Sequence, residues 1–277
     1  MKRLFSQLLR ILVYSNVLIA LSAGIFSLGW TNINNIANWT DYSLFSFFAT
    51  LTIYNLDKLW KIQWVTQYSE WLMWIQTHCI KIWIIAFSSA ILGLHFLIKV
   101  IDLTIFSGIS ALFVGAICAV FYSFPIKQLR LRNIPGAKAL MIAFVWVLVI
   151  GLFPLMNSHL FSLESICTFL FLFPFFLALT IPFDIRDAEK DEIQLQTIPQ
   201  IIGIKFAKFF GLLLLMISFI FAIFIFNMRL LILFIPVYVF CTWLIFQTSQ
   251  GSRWWHFALI DLCILLLGLG LLIGGDF

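Results

Sequence analysis

Charge is scarce in this chain. Asp, Glu, Lys and Arg make up 10% of its 277 residues while 63% are hydrophobic, against roughly 25% charged in a soluble globular protein. That excludes a water-soluble domain, which has to cover its core with polar side chains. The five cysteines, Cys79, Cys118, Cys167, Cys241 and Cys263, stand singly with no C-x-x-C pair, which excludes a disulfide scaffold and a zinc-ribbon module. None of the four histidines has a ligand-type residue three or four positions away, so the sequence carries no helical histidine metal pair. The formal charge of +5 would suggest nucleic acid in a soluble protein. Here the basic residues report membrane topology instead, because Lys and Arg are retained on the cytoplasmic side of spans. No nucleic-acid partner and no obligate protein partner is evident.

What is present is a series of long apolar runs. The expected fold is all-α: a single polytopic membrane domain over 1–277 with nine transmembrane helices. The runs are Leu8–Trp30, Ser43–Tyr54 (continuing as helix towards Trp60), Ile82–Ile98, Leu103–Phe124, Ala139–Met156, Leu163–Phe183, Phe209–Asn227, Leu230–Phe246 and Phe257–Ile273. With the N-terminus inside, fifteen of the 17 basic residues fall on the cytoplasmic side and only Lys99 and Arg229 on the other. This predicts a cytoplasmic N-terminus, an outside C-terminus and an integral, multi-pass protein of the bacterial inner-membrane kind. Lys2 and Arg3 before the first run resemble a signal peptide, but an apolar stretch of roughly 20 residues is too long for a cleaved signal and is read as a helix of the mature protein.

Topology does not explain the acids. Seven of the twelve lie on the inner side in two places, Asp57 with Glu70, and the run from Asp184 to Glu192. If helix continues through that run, Asp184, Asp187 and Asp191 share an arc of roughly 60°. Three carboxylates on one face repel one another unless a cation neutralises them, and a hard divalent ion such as Mg²⁺ suits such oxygens. The competing reading is a solvated charged loop in which Arg186 and Lys190 pair with neighbouring acids.

The string Asp184-Ile185-Arg186-Asp187-Ala188-Glu189-Lys190-Asp191, followed by Thr197-Ile198-Pro199-Gln200-Ile201-Ile202-Gly203, resembles the second aspartate-rich motif of the UbiA superfamily of intramembrane prenyltransferases, with Lys190 in place of the usual glycine. Tyr122-Ser123-Phe124-Pro125-Ile126-Lys127-Gln128-Leu129-Arg130 resembles the basic segment that follows the family's fourth span, with Ile126 in place of its second proline. The first aspartate-rich motif departs further. In Ile53-Tyr54-Asn55-Leu56-Asp57-Lys58-Leu59-Trp60-Lys61 one acid of three is kept, and Lys61 stands at the last acidic position.

The resemblance implies nine helices around a central cavity open to the cytoplasmic leaflet, where the second and sixth spans face each other. It implies transfer of a prenyl group from a polyprenyl diphosphate to an aromatic or other lipophilic acceptor within the bilayer, with Mg²⁺ as cofactor. The residues it points to are Asp57, Asp184, Asp187 and Asp191 as catalytic metal ligands. For the diphosphate and its neighbourhood they are Asn55, Lys58, Lys61, Tyr122, Lys127, Arg130 and Arg186. For Lys127 and Arg130 topological retention is the alternative, and for Lys61 a plain ion pair with Asp57 one turn away. A catalytically inactive or non-prenyl lipid-binding relative and a transporter are the competing classes, although a transporter places charge nearer the midplane.

Three lesser features complete the reading. The stretch Leu59–Lys81, with Trp60, Trp64, Trp71 and Trp74, suits an amphipathic cap at the interface. Asp261 is an acid one turn inside the ninth span. Gly270 and Gly274 form a small-xxx-small pair for close helix packing.

Overall fold

The computed structural model describes residues 2–63, 70–123, 134, 136–158, 163–188, 196–250 and 253–275. Every regular element among them is helical, as hydrocarbon demands of a backbone that finds no water to bond. In chain order the helices are α1 (Lys2–Tyr14), α2 (Val17–Ile33), α3 (Trp39–Lys61), α4 (Glu70–Thr77), α5 (Cys79–Val100), α6 (Phe106–Ser123) and α7 (Ala137–Trp146). A π-helical stretch, Val147–Leu152, leads into α8 (Phe153–Asn157), followed by α9 (Leu163–Asp187), α10 (Ile198–Ile202), α11 (Ile204–Ile225), α12 (Met228–Gln247) and α13 (Trp254–Gly275).

Six segments are long and apolar enough to cross a bilayer: Cys79–Val100, Ala137–Asn157, Ser165–Asp187, Ile204–Ile225, Met228–Gln247 and Trp254–Gly275. The pair Gln7–Tyr14 and Val17–Ile33 makes a seventh if it is one span. The two other expected runs are helical. However, α3 carries Asp41, Asp57, Lys58 and Lys61, and the apolar part of α6, Phe106–Tyr122, is short of a full crossing.

The first run is not continuous from Leu8. It breaks after Tyr14 and bends by 71°, because Asn16 sits in the left-handed region at φ 61°, a conformation asparagine tolerates better than most residues. What precedes the bend is amphipathic, bears Lys2, Arg3 and Arg10 without an acid, and leaves Leu8 and Ile11 about half exposed. That is the pattern of a helix lying in the interface rather than spanning it. The cap expected between Leu59 and Lys81 contains α4, whose Trp71, Trp74 and Ile75 pack with Leu59 and Ile82. Trp64 lies outside the described residues.

The core is aromatic. Trp30 of α2 stacks with Phe171 of α9, and Phe226 and Phe234 close on Phe171. The Trp30 Nε1 donates to the Gly151 carbonyl (2.9 Å) in the π-helical stretch, where the widened turn leaves a carbonyl to be satisfied. Glycine sets how closely α2 and α13 cross. A Cβ on Gly268 would stand 2.5 Å from Phe26 Cα, and one on Gly29 would stand 2.3 Å from the Gly268 carbonyl oxygen. Gly270 and Gly274 face Phe234 and Leu230 of α12 instead.

Backbone cannot yield as a side-chain tip can, so Gly268→Ala is expected to force the crossing apart at a cost of about 1–3 kcal/mol, lowering the unfolding temperature in detergent. Gly93→Ala, whose nearest neighbour is 3.5 Å away, is expected to melt as wild type. Equal melting of the two variants would show that the crossing is not close-packed.

Candidate functional site

Polar side chains gather where α3 and α9 end and where α2, α7 and α13 begin. In the first motif Asn55 is fully buried. Asn16 Nδ2 donates to Asn55 Oδ1 (2.9 Å), and Asn55 Nδ2 donates to the carbonyls of Ser15 (3.1 Å) and Leu51 (2.9 Å). Asn55 thus ties α3 to the α1–α2 break, and its side chain is committed there rather than offered to a ligand. Lys58 Nζ donates to Asn16 Oδ1 and to the Tyr14 carbonyl (3.4 Å), and it stands 5.2 Å from the centroid of the Trp71 ring. Asp57 pairs with Lys61 one turn on.

In the second motif α9 ends at Asp187, so the helical face holds Asp184 and Asp187. Asp191, Lys127 and Arg130 lie outside the described residues. Asp184 is buried, and the buried Lys138 of α7 places its Nζ 3.0 Å from Asp184 Oδ1 and 3.9 Å from Asp187 Oδ2. Arg186 grips Asp187 with both arms, Nε to Oδ1 at 2.7 Å and Nη2 to Oδ2 at 2.8 Å. Its guanidinium also lies 4.5 Å from the Phe257 ring centroid and 5.5 Å from that of Phe183.

The segment after the motif holds this geometry. Gln200 Oε1 accepts from the Thr197 N–H (2.8 Å) and its Nε2 donates to the Ala188 carbonyl (2.9 Å), while the Gly136 N–H donates to the Gln196 carbonyl (2.9 Å). One short loop therefore fixes both the end of α9 and the start of α7.

The two motifs share an electrostatic neighbourhood. Asp261 of α13 interacts with both Lys58 and Arg186, and Lys58 in turn feels Asp57, Lys61 and Arg186. Tyr54, whose hydroxyl accepts from Trp146 Nε1 (3.1 Å), interacts with Asp57, Tyr122 and Asp261. Lys138, one of the fifteen basic residues that topology alone places on the inner side, and Asn16 carry no motif of their own. The available signal is polar residues interrupting or abutting an apolar run, Ser15-Asn16 within Leu8–Trp30 and Lys138 directly before Ala139. Arg10, at the start of the first run, pairs with Glu70 of α4 (3.0 Å).

Among the described residues no group of three His, Cys, Asp or Glu side chains is placed to hold a metal ion. Asp184 and Asp187 each already face a cation, and Asp57 faces Lys61. This donor set does not fit Mg²⁺ as it stands.

The commitments of Asn55 and Asp57 differ in a way that stability measurements separate. Asn55→Leu leaves the Asn16 Nδ2 donor and the Ser15 carbonyl without their buried partner and is expected to cost about 1–3 kcal/mol. Asp57→Asn removes a partly exposed i, i+4 pair and is expected to cost about 0.5 kcal/mol or less. Denaturant titration of the two variants in detergent checks the order, and a larger loss for Asp57→Asn would reverse these roles.

No family model matches this sequence, and no curated protein matches it. Solved structures do. A digeranylgeranylglyceryl phosphate synthase in membranes aligns with a TM-score of 0.59 at 16% identity, over 99% of this chain and 99% of its own. A UbiA homologue from Archaeoglobus fulgidus bound to GPP and Mg²⁺ aligns with a TM-score of 0.60 at 15% identity, over 96% and 98%. The same homologue bound to Cd²⁺ aligns at 0.57 and 17% identity, over 96% and 97%. Identity this low speaks for architecture alone, and from end to end this chain shares the fold of these solved structures.

Proposed function

We propose that this chain transfers a prenyl group from a polyprenyl diphosphate to an aromatic or other lipophilic acceptor within the membrane. What supports the reading is a fold shared with solved structures that hold prenyl diphosphates, together with the electrostatic influence that Lys58 of the first motif and Arg186 of the second both exert on Asp261. The A. fulgidus homologue is solved with GPP and with DMAPP. The nine helical passes, the cytoplasmic N-terminus and a central cavity open to the inner leaflet belong to this proposal.

Chemically the substrate is a fixed leaving group on a mobile tail. The allylic C–O bond breaks with its electron pair going to the diphosphate, leaving an allylic cation. The electron-rich carbon or oxygen of the acceptor attacks it, and the acceptor then gives up a proton. The protein's part is to hold the diphosphate and stabilise the charge that develops on it. Lys58, Lys61 and Arg186 are the described cations for that task, joined in the proposal by Lys127 and Arg130. The rings of Tyr54 and Tyr122 stand beside the cluster, where an aromatic face stabilises an adjacent cation. Mg²⁺ is what the family resemblance implies. Since the described carboxylates do not fit it, the ionisation is assigned here to the basic side chains.

A second reading has its own observation. The first motif keeps one acid of three and that acid is paired with Lys61, which suits a relative that binds a prenyl lipid without turning it over.

The deciding experiment incubates purified protein with radiolabelled prenyl diphosphates of several chain lengths and a lipid extract. Extractable prenylated product is expected, with turnover lowered at least about 100-fold in Arg186→Gln and in Lys58→Met, since each removes charge stabilisation of the leaving group. Tight prenyl diphosphate binding with no product at any chain length would favour the binding-protein reading. No binding at all would end both.

A further inference from the structure

We propose that Lys138 is the resident cation of the second acidic motif, standing between Asp184 and Asp187 so that Asp184 serves as its counter-ion and not as a ligand for a divalent metal. Only the identity of the eventual ligand, a diphosphate, rests on the prenyl-transfer reading; the ion pair itself stands on geometry.

Three observations carry it. First, topology does not account for this lysine. A residue retained on the cytoplasmic side for its charge extends its ammonium to water, whereas the Lys138 side chain is 7% exposed and ends 3.0 Å from a carboxylate that is itself 3% exposed. Second, helix stability does not account for it. Lys138 is the second residue of α7, where the helix dipole disfavours a cation. What holds it there is the acid pair on α9 and the Gly136–Gln196 backbone bond, which delivers the start of α7 to that pair. Third, the space is taken. Mg²⁺ requires oxygens at about 2.0–2.1 Å in octahedral array, and an ammonium in hydrogen-bond contact with the same Asp184 oxygen would face it at close range, a like-charge approach that is strongly repulsive away from bulk water.

The charge balance around the site follows the same logic. Among the described residues the three motif carboxylates, Asp57, Asp184 and Asp187, meet three cations, Lys61, Lys138 and Arg186.

The proposal is tested on the purified full-length protein with Mn²⁺ as the probe, without any prenyl-transfer assay. Binding is read from the electron paramagnetic resonance signal of free Mn²⁺, and stability from thermal unfolding with and without Mn²⁺. In wild type the melting temperature is expected not to respond to Mn²⁺. Lys138→Met removes the cation that stands 3.0 Å from Asp184, so its melting temperature should fall and be restored by Mn²⁺, with Mn²⁺ bound at least tenfold more tightly than by wild type. Lys138→Arg should behave as wild type. In the double variant K138M/D184L stability should return with no Mn²⁺ response. Should Lys138→Met be recoverable only with Mn²⁺ present, or only when combined with Asp184→Leu, that recovery itself supports the pairing. Equal Mn²⁺ affinity in wild type and Lys138→Met overturns the proposal, as does a Lys138→Met protein that melts as wild type and ignores Mn²⁺. So does a double variant no more stable than Lys138→Met. Because none of these readouts uses substrate, a negative result leaves the prenyl-transfer reading standing, and an inactive enzyme leaves this one standing.

Discussion

A charge buried among hydrocarbon side chains has to find its counter-charge within a few ångströms, because leaving one partner alone in a low-dielectric interior is far more costly than either the presence or the absence of both. Most of the polar architecture at one end of this bundle follows from that constraint. Lys138 is buried against Asp184, Asp187 is held by Arg186, and Asp57 by Lys61. Neutral groups obey the same demand in weaker form. Asn55, with no exposure at all, has both ends of its amide satisfied by Asn16 and by two carbonyls. The contacts of Lys138 with Asp184 and of Asn55 with Ser15 and Asn16 join different elements, so satisfying these groups also fixes how α7 meets α9 and how α3 meets the start of α2.

The remainder of the bundle can then be almost wholly apolar, and it is rigid for a different reason. Aromatic rings from α2, α9, α11 and α12 interlock around Phe171, and glycines at 29 and 268 bring two backbones into contact. Dense packing of this kind resists the motions that a site needs. The polar end is made of different material: helix termini, the short helices α4 and α10, the latter carrying Gln200, and Gln196 just before it. A stiff frame thus carries a polar end built of short elements.

How much of this was legible in the sequence depended on whether the signal was local. Long apolar runs gave the helical class directly, and α3 continues to Lys61 through its polar end as its periodicity indicated. The Asp57–Lys61 pair and the shared face of Asp184 and Asp187 were also readable, since both rest on spacing within one helix. The break at Asn16 was hidden because an asparagine within an apolar run looks like a tolerated polar residue until its φ is known. Asn55 was read as an oxygen donor since its partners, Ser15 and Asn16, lie about 40 residues upstream. Lys138 was misread as a topological charge for the same reason. Its partner lies on another helix, and hydropathy carries no information about which neighbour a charge will face.

The departures from the resembled motifs are coherent when taken together. At the first motif a lysine occupies the last acidic position and binds the one acid that is kept. At the second a lysine from α7 binds an acid, and an arginine within the motif binds the next. Substitutions that merely eroded an acidic site would leave carboxylates unbalanced or replace them with neutral residues, and the cost of a stranded charge would fall on the fold. Here each described acid of the two motifs keeps a cation beside it, and Asp261 interacts with the cations of both. Nor does the arrangement resemble a transport path, in which charges and broken helices are placed near the middle of the membrane, because these groups sit at helix ends. Under the proposed function, the lysines and the arginine beside these carboxylates take the electrostatic role, and an anionic headgroup competes with the described carboxylates for them.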